Sequence, residues 1–479
     1  MSLPPLASGP YSAGALRPLL DTVLGALEAG GRDRGGPLPA GGPAEVAARV
    51  REAVGEVLPD QGEPGALAAL VHALAEGSAD PADPLCAAHL HCPPLAVATA
   101  ADLAASALNP SLDSWDQAPA ASELEALVTG ALAREVYGAG GAAPAARSGV
   151  VADTRDPGGT GTALPLTPDA LVTTGGTESN QLALLLAREA LGGGVRLVCG
   201  ANAHHSLARA AWLLGLPEPV VVPTPQGVLD PGALDAALSG LTGPLLVAAT
   251  AGTTDAGLID PLPEIAARCA AHGARLHVDA AYGGGLLFSS RHRGRLAGIR
   301  SAATVTLDLH KLGWQPVAAG LLAVRDATDL TALHQRADYL NADDDTEAGL
   351  PDLLGRSLRT TRRPDVLKLA VTLKTLGRTG LGALTDQVCA LAQEFADRVD
   401  AHPAFELYDR PVISTVLFRP RHADAAAVRR TLLEQGRAVL GRARTGDGRL
   451  WLKATLLNPH TRLADLDRLL DLVEGTTPT

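Results

Sequence analysis

Apolar residues in the first part of the chain recur at the three- and four-residue spacing of an amphipathic helix. The pattern predicts helices over residues 11–28, 44–58 and 64–76, and the Gly/Pro-rich stretch 30–43 between the first two predicts a loop. We therefore interpret residues 1–84 as an N-terminal helical arm rather than a self-sufficient domain.

A different pattern begins near residue 165, where short β-branched or apolar runs alternate with helical patterns. This alternation predicts a large α/β domain over residues 85–365, with a mainly parallel sheet and helices on both faces. In such sheets, ligands bind beyond the carboxyl ends of the strands. The predicted strands are 170–174, 195–199, 219–222, 245–250, 275–278, 303–307 and 320–324, and the helical patterns begin at Glu178 and Ser206 and cover 234–238 and 264–272.

The last part of the chain mixes irregular, helical and strand patterns. Residues 329–363 are polar and irregular, include the acidic run 341–347, and are predicted to form a mobile lid. Residues 366–479 are predicted to form a smaller C-terminal α+β domain. Its predicted helices are 366–376, 424–435 and 462–473, and its predicted strands are 412–418 and 450–457.

Composition narrows the candidate chemistry. The 479 residues carry a formal net charge of −12, which argues against a general nucleic-acid-binding protein. The five cysteines are odd in number and scattered, which favours reduced thiols in a cytoplasmic protein, and neither a signal peptide nor a membrane-spanning run is evident. Any chemistry that needs a lysine has only four candidates, which are Lys311, Lys368, Lys374 and Lys453.

A turn rich in glycine and hydroxyl groups, TTGGTESN at 173–180, lies between the first predicted strand of the sheet and its helix. The two glycines let the backbone approach a ligand, and the helix N-terminus presents free N–H groups and the positive end of the helix dipole. Thr177 adds a hydroxyl group. The turn therefore suits a phosphate group, although an ordinary strand–helix turn would have the same sequence character.

Two further predicted strands end in side chains that can carry chemistry. Asp279 follows the strand residues 276–278 and precedes small residues, and DLHK at 308–311 follows the next strand. With the phosphate turn, these residues supply the three anchors of pyridoxal 5'-phosphate: Lys311 would form a Schiff base with the aldehyde, and Asp279 would keep the pyridine nitrogen protonated. The alternative is that Asp279 caps a turn and that Lys311 is a solvated surface lysine.

Six segments carry a resemblance to a known family: TTGGTESN (173–180), AHHS (203–206), ATAGTTDAGLIDP (249–261), HVDAAYGG (277–284), DLHK (308–311) and LKATLLNP (452–459). From about His89 onward the chain resembles the group II pyridoxal-phosphate-dependent amino acid decarboxylases. The resemblance implies the type I fold of pyridoxal-phosphate-dependent transferases, amino acid decarboxylation, and a homodimer with shared active sites. By this resemblance Lys311 attaches the cofactor, Asp279 is the partner of the pyridine nitrogen, and His204 stacks on the ring and takes part in proton transfer. Gly176 and Thr177 would contact the phosphate, and Thr254 and Ala281 would form the environment of the ring. His310 and Asp308 would lie beside the lysine.

Other segments are similar to the members of this family that act on diamino acids of the 2,4-diaminobutyrate type. They are AHLHCPP (88–94), NPSLDSWDQAPAA (109–121), HKLGWQP (310–316), ADYLN (337–341) and GLPDLLGRSLRTTRR (349–363). Aromatic members of the family carry a catalytic tyrosine in the lid, whereas residues 349–358 contain none. The resemblance therefore implies a diamino acid substrate and a proton donor other than a lid tyrosine, for which His204 is the candidate.

Several alternatives stay open. The substrate could be lysine, ornithine, aspartate, glutamate, or an aromatic or neutral aliphatic amino acid. The reaction could be transamination or oxidative deamination on the same cofactor, and a pseudoenzyme that acts as a partner protein is a third interpretation. A zinc site at Cys86, His89, His91 and Cys92 is disfavoured because the spacing lacks a second paired half, so no metal is predicted.

Overall fold

Seven strands form the central sheet of the computed structural model, which describes residues 4–10, 12–138, 166–335, 337 and 340–476. They are β1 (Asp169–Thr173), β2 (Arg196–Gly200), β3 (Val220–Val222), β4 (Leu245–Thr250), β5 (Arg275–Ala280), β6 (Thr304–Asp308) and β7 (Gly320–Val324). Their order across the sheet is β1-β7-β6-β5-β4-β2-β3. Each predicted strand of the large domain is present, with ends that differ by at most two residues.

The sheet is mainly parallel, as predicted. The pairs β6–β5, β5–β4, β4–β2 and β2–β3 are parallel, whereas β7 is antiparallel to both β1 and β6. A parallel return would need a crossover of a dozen or more residues, usually a helix, and residues 309–319 between β6 and β7 contain no helix. The chain therefore turns back beside β6 immediately after the segment that carries Lys311.

Helices form both ends of the described chain and most connections between the strands of the large sheet. The α-helices are α1 (Ser12–Arg34), α2 (Gly42–Val54), α3 (Ala66–Gly77), α4 (Ala96–Leu108), α5 (Pro119–Tyr137), α6 (Gly176–Leu191), α7 (His205–Leu213), α8 (Pro231–Ser239), α9 (Leu262–Ala271), α10 (Asp343–Glu347), α11 (Val366–Ala401, interrupted at Gly377), α12 (Ala425–Glu434) and α13 (Leu463–Gly475). Short 3-10 helices cover Gly283–Phe288, Arg293–Leu296, Ile299–Ser301, Ala327–Leu333 and Leu354–Arg356.

Two boundaries of the N-terminal arm differ from the prediction. The loop predicted over 30–43 is shorter, because α1 continues to Arg34. Gly30 lies inside this helix where it packs closely on α3: an added Cβ would lie 2.4 Å from the carbonyl oxygen of His72. The helix predicted over 44–58 ends at Val54, because Gly55 adopts the positive φ of 57° that ends helices.

The C-terminal part forms the predicted α+β arrangement around a second sheet. Its strands are β8 (Phe405–Leu407), β9 (Thr415–Pro420), β10 (Gly441–Arg444) and β11 (Leu450–Thr455), ordered β10-β11-β9-β8 with antiparallel pairs. The predicted strands 412–418 and 450–457 correspond to β9 and β11, and β8 and β10 were not predicted. Buried residues of this sheet and of α12 and α13 form one apolar cluster, which includes Phe418, Leu452, Leu432 and Leu466.

The chain divides into two compact units. One combines the residues up to Pro93 with those from Gln387 onward, and the other covers Pro94–Asp386. In the first unit, Ala87 donates its backbone N–H to the carbonyl of Val439 and accepts from the N–H of Thr455, so the chain before Pro93 is hydrogen-bonded to the C-terminal sheet. The second unit contains the seven-stranded sheet. The predicted domains, residues 1–84, 85–365 and 366–479, stay a prediction.

Two segments that resemble those of diamino-acid decarboxylases pack against each other within the second unit. Leu112 and Ala118, from 109–121, form a buried cluster with Leu353, from 349–363. Arg362 donates two hydrogen bonds to the carboxylate of Glu125 on α5, at 2.7 and 2.9 Å, and both side chains are buried. These contacts fix the C-terminal half of the predicted lid on the large unit.

Candidate active site

Two central strands each place a carboxylate at the edge of the sheet that is formed by the carboxyl ends of the parallel strands. Asp279 is the second-last residue of β5, and Asp308 is the last residue of β6, the neighbouring parallel strand. Both are almost fully buried, with 5% of their surface exposed. This edge is the one at which ligands of parallel sheets bind.

The predicted phosphate turn connects β1 to α6 at this edge. Gly175 has φ 152° and ψ −177°, a backbone conformation that glycine adopts far more readily than other residues, and Gly176 begins α6. A Cβ on Gly176 would lie 3.2 Å from Cβ of Ala281 and 3.3 Å from Oδ2 of Asp308. The turn therefore lies against both carboxylate-bearing segments, and the first N–H groups of α6 have no intrahelical acceptor.

Lys311 lies in an electrostatic cluster with Asp308 and His310. Its Nζ is 2.8 Å from Oδ2 of Asp308, and the side chain of Lys311 is only 18% exposed. Nε2 of His310 is 3.4 Å from the same oxygen, and Nδ1 of His310 accepts the backbone N–H of Ala319 at 3.2 Å. Burial is the main cause that lowers the pKa of His310, so its imidazole is neutral near pH 7.

Asp279 is held by hydrogen bonds to both carboxylate oxygens. Oδ2 accepts from Nδ2 of Asn180 at 2.8 Å, and Oδ1 accepts from the backbone N–H of Ala281 at 3.1 Å. Ala281, the predicted neighbour of the ring, is buried and presents only a methyl group. The carboxylate therefore has a fixed orientation beside a small side chain.

Behind Asp279 lies a buried polar network that the sequence reasoning missed. His277 precedes Asp279 by two residues on β5, so both side chains lie on the same face of the sheet. Nε2 of His277 is 3.0 Å from Oδ1 of Asn180, and Nδ1 of His277 is 2.9 Å from Oγ1 of Thr304 on β6. The hydroxyl of Thr306 donates to the same oxygen of Asn180 at 2.8 Å. The alternation of polar residues at 277/279 and 304/306 was the available sequence signal.

His204 is the residue that precedes the first turn of α7. Its Nδ1 accepts the backbone N–H of Ser206 at 3.3 Å and lies 2.8 Å from Oγ of Ser206. Burial is the largest influence on its pKa and lowers it, while the nearby Asp279 acts in the opposite direction. The neutral imidazole is therefore the dominant form near pH 7.

The remaining predicted residues lie at the surface of the same unit. Thr177 is in the first turn of α6 and is exposed, as is Thr254 in the connection between β4 and α9.

Within the described residues, no group of three or more His, Cys, Asp or Glu side chains has an arrangement that could hold a metal ion. The four cysteines other than Cys86 are buried, and none of the five forms a disulfide bond in the structure.

Comparison with known proteins decides the family. Residues 70–421 match the family described as the pyridoxal-dependent decarboxylase conserved domain. The chain belongs to this decarboxylase family. The predicted cofactor, pyridoxal 5'-phosphate, and the predicted reaction class, decarboxylation of an amino acid, are thereby confirmed.

Named relatives of the chain support its assignment to the decarboxylase family. The chain is 39% identical over 427 residues to L-2,4-diaminobutyrate decarboxylase of Rhizobium meliloti (strain 1021), a match that covers 85% of this chain and 80% of the relative. It is 32% identical over 365 residues to the Acinetobacter baumannii protein of the same name, covering 69% and 66%. A solved structure from Vibrio parahaemolyticus superposes with a TM-score of 0.80 at 29% identity, covering 98% of this chain and 97% of that chain. That structure is the glutamate decarboxylase domain of diaminobutyrate-pyruvate transaminase and L-2,4-diaminobutyrate decarboxylase.

The residues of the decarboxylase fit its cofactor. Gly175 and Gly176 leave open the space that side chains would fill against His310, Ala281 and Asp308. Oδ1 of Asp308 is buried and has no hydrogen-bond partner in the described part of the chain, so this edge of the sheet holds a polar atom with unused capacity. A lysine, a fixed carboxylate and a glycine turn meet at one edge, as the cofactor requires.

None of the decarboxylase helices that the structure describes has the length and apolar character needed to cross a membrane.

Proposed function

We propose that this decarboxylase converts a diamino acid such as L-2,4-diaminobutyrate to the corresponding diamine. The observation that carries this proposal is the shared name of the relatives from R. meliloti and A. baumannii, which match 85% and 69% of this chain. The substrate carries two amino groups and one carboxylate, so the product is a dication. The exposed acidic residues Asp344, Asp345 and Glu347 on α10 would attract such a cation without binding it specifically.

The proposed division of roles follows the positions of the side chains. Bound pyridoxal 5'-phosphate supplies a ring that accepts the electrons released when carbon dioxide leaves. Lys311 would bind the cofactor aldehyde through Nζ and later release the product, with Asp308 and His310 orienting its side chain. Asp279 would face the pyridine nitrogen, and its two hydrogen bonds support a fixed orientation for that contact.

The other proposed roles concern the phosphate, the ring and the returned proton. Gly176 and Thr177 would donate to the phosphate from the first turn of α6. Ala281 and Thr254 would border the ring. His204 would lie over the ring and return a proton to the substrate carbon, because residues 349–358 contain no tyrosine that could do so. The neutral imidazole, which the lowered pKa of His204 favours, carries one ring proton, so its tautomer decides which ring nitrogen can donate a hydrogen bond.

The experiment that tests the function is an incubation of the purified protein and pyridoxal 5'-phosphate with a panel of amino acids, followed by mass identification of the products. The panel contains diaminobutyrate, ornithine, lysine, aspartate, glutamate, and an aromatic and an aliphatic amino acid. We expect the diamine formed by loss of carbon dioxide from diaminobutyrate. An amine from another member of the panel would identify a different substrate, and an aldehyde or keto acid would contradict decarboxylation.

Lys311→Ala tests the site. We expect it to abolish turnover and the borohydride-reducible visible band of the bound cofactor. The exposed Lys374 on α11 offers a matched control, and Lys374→Ala should change neither. Unchanged turnover in Lys311→Ala would contradict the assigned role of this lysine.

We further propose that the enzyme is a cytoplasmic homodimer with active sites shared between subunits. The family resemblance supports the homodimer, and five cysteines without a disulfide support a reducing compartment. Sedimentation analysis of the cofactor-loaded protein tests the subunit number.

A further inference from the structure

Asn180 on α6 lies between the two side chains proposed to act on the cofactor ring. It is fully buried, and its amide uses its complete hydrogen-bonding capacity. Nδ2 donates to Oδ2 of Asp279 and to Oγ of Ser206, each at 2.8 Å. Oδ1 accepts from Thr306 at 2.8 Å and faces Nε2 of His277 at 3.0 Å.

The acceptor character of Asp279 determines the direction of these hydrogen bonds. A carboxylate only accepts, so the NH2 group of Asn180 must face Asp279 and its oxygen must face His277. Nε2 of His277 therefore carries a proton, and Nδ1 accepts the hydroxyl proton of Thr304. Burial lowers the pKa of His277 to about 4, so this ring is neutral and is held in one tautomer.

A second branch of the network runs from Asn180 to His204. Oγ of Ser206 accepts from Nδ2 of Asn180, so its own proton is available to Nδ1 of His204, 2.8 Å away. The backbone N–H of Ser206 points to the same nitrogen at 3.3 Å. Two donors directed at Nδ1 leave this nitrogen unprotonated, and the proton of the neutral imidazole therefore lies on Nε2.

We infer that Asn180 is a positioning residue that orients the Asp279 carboxylate and, through Ser206, holds His204 with its proton on Nε2. The inference rests on the roles proposed above for Asp279 and His204. It connects both groups to one amide. The NH2 group of Asn180 holds the Asp279 carboxylate in place as an acceptor for the pyridine N–H. Through Ser206, the same NH2 group leaves the proton of His204 on Nε2, where it can be donated. Loss of Asn180 should therefore affect cofactor binding and proton transfer together, whereas loss of Ser206 should affect His204 alone.

The first test is the tautomer of His204 in the cofactor-loaded protein. The protein is labelled with 15N-histidine, long-range 1H–15N spectra are recorded near pH 7.5, and signals are assigned by their loss in His204→Gln and His277→Gln. We expect both rings to be neutral with the proton on Nε2. A proton on Nδ1 of His204 would overturn the inference. This readout does not depend on turnover, so it stands or falls separately from the proposed function.

The second test separates the two branches with Asn180→Ala and Ser206→Ala. For Asn180→Ala we expect the Kd of pyridoxal 5'-phosphate to rise about tenfold, because one hydrogen bond to a charged group is lost, and kcat to fall. For Ser206→Ala we expect the Kd of the cofactor to stay within about twofold and kcat to fall about tenfold, a size typical of a misplaced proton-transfer group. The Nδ1–H tautomer of His204 should become populated beside the Nε2–H form, because only the backbone N–H at 3.3 Å still points to Nδ1.

Thr129→Val is the matched control for removing a buried hydroxyl. Thr129 on α5 is fully buried and its hydroxyl donates to the carbonyl of Glu125 in its own helix. We expect this variant to lose some stability while keeping the cofactor Kd, the histidine signals and kcat. If Ser206→Ala leaves kcat and the His204 signals unchanged, or if Thr129→Val lowers kcat as much as Ser206→Ala does, the network has only a structural role and the inference fails.

Discussion

At the scale of single residues, Gly320 lies between the predicted phosphate turn and β6, the strand that carries Asp308. It is the first residue of β7 and is paired with Thr173 on one side and with Asp308 on the other. A Cβ at Gly320 would lie 2.5 Å from both N and Cα of Gly175, which are backbone atoms that cannot move aside independently. The close approach of β1 and β7 at this point therefore requires glycine.

Gly320→Ala should displace the turn and weaken binding of pyridoxal 5'-phosphate by about tenfold or more, since the proposed phosphate contacts depend on the positions of backbone N–H groups. The measurement is a cofactor titration followed by absorbance. Gly130→Ala on α5 is the control, because the nearest atom to its Cβ would be the flexible Arg134 side chain at 3.4 Å. That variant should bind the cofactor normally and gain roughly 0.5–1 kcal/mol of stability. Normal binding in Gly320→Ala would show that the turn does not depend on this approach.

At the scale of elements, one buried ion pair joins three segments that are far apart in sequence. The guanidinium of Arg362 donates to the Glu125 carboxylate and, through Nε, to the carbonyl of Leu112 at 3.2 Å. Arg356 similarly binds Asp169 and the carbonyl of Ala170 at the edge strand β1. The C-terminal half of the predicted lid is therefore anchored at two points, while residues 341–347 before it carry the exposed acidic groups.

Arg362→Met should lower the free energy of unfolding by roughly 3–5 kcal/mol, because it leaves Glu125 charged, buried and unpaired. Urea unfolding measures the change. The double variant Arg362→Met/Glu125→Leu should recover most of the loss, since both buried charges are then removed. Arg410→Met, which removes the exposed Arg410–Asp397 pair, should cost less than about 1 kcal/mol. A double variant as unstable as the single one would show that the hydrogen bond to Leu112, rather than the unpaired charge, determines the effect.

At the scale of the whole molecule, buried neutral histidines connect stability to pH. His277 is fully buried, and its pKa is lowered chiefly by desolvation to about 4 from an ordinary value of 6.5. Between these values the unfolded chain binds a proton that the folded protein does not, so the free energy of unfolding falls as the pH drops from about 6.5 to about 4. Above pH 6.5 both states are neutral at this position and the contribution is constant. His204, His292 and His310 have lowered pKa values for the same main reason and act in the same direction.

His277→Gln should reduce the pH dependence of stability by about 1–3 kcal/mol between pH 7 and pH 4.5, because its side chain does not titrate. The measurement compares urea midpoints of the variant and the wild type across this range. The prediction concerns the slope of the unfolding free energy against pH rather than its value at one pH, since the variant also changes hydrogen bonds to Asn180 and Thr304. His422→Gln, on an exposed turn of the C-terminal sheet, is the control and should keep the wild-type slope. Parallel curves for His277→Gln and wild type would mean that His277 is not buried in its neutral form.

The strands and most helices of the large unit could be predicted from local pattern. Buried parallel strands are short continuous apolar runs, and β2, β3 and β4 are each followed by a turn and an α-helix, so their positions depend on neighbouring residues alone. Lys311, Asp279 and the glycine turn were predictable for the same reason, because each follows a predicted strand. The antiparallel β7 was not distinguishable from a parallel strand, because the direction of a strand depends on the path of the connection rather than on its own residues.

By itself, the sequence determined the family and the cofactor chemistry and predicted the three anchors of the cofactor, since these depend on short motifs and on the order of strands and helices. Only the tertiary structure revealed that Asn180, Ser206 and His277, from α6, α7 and β5, form one network around Asp279 and His204. The physical reason is that a buried polar side chain must find its hydrogen-bond partners among the groups that the fold brings near it. Those partners lie 26 to 126 positions away from Asn180 in the chain, a separation across which no local pattern operates.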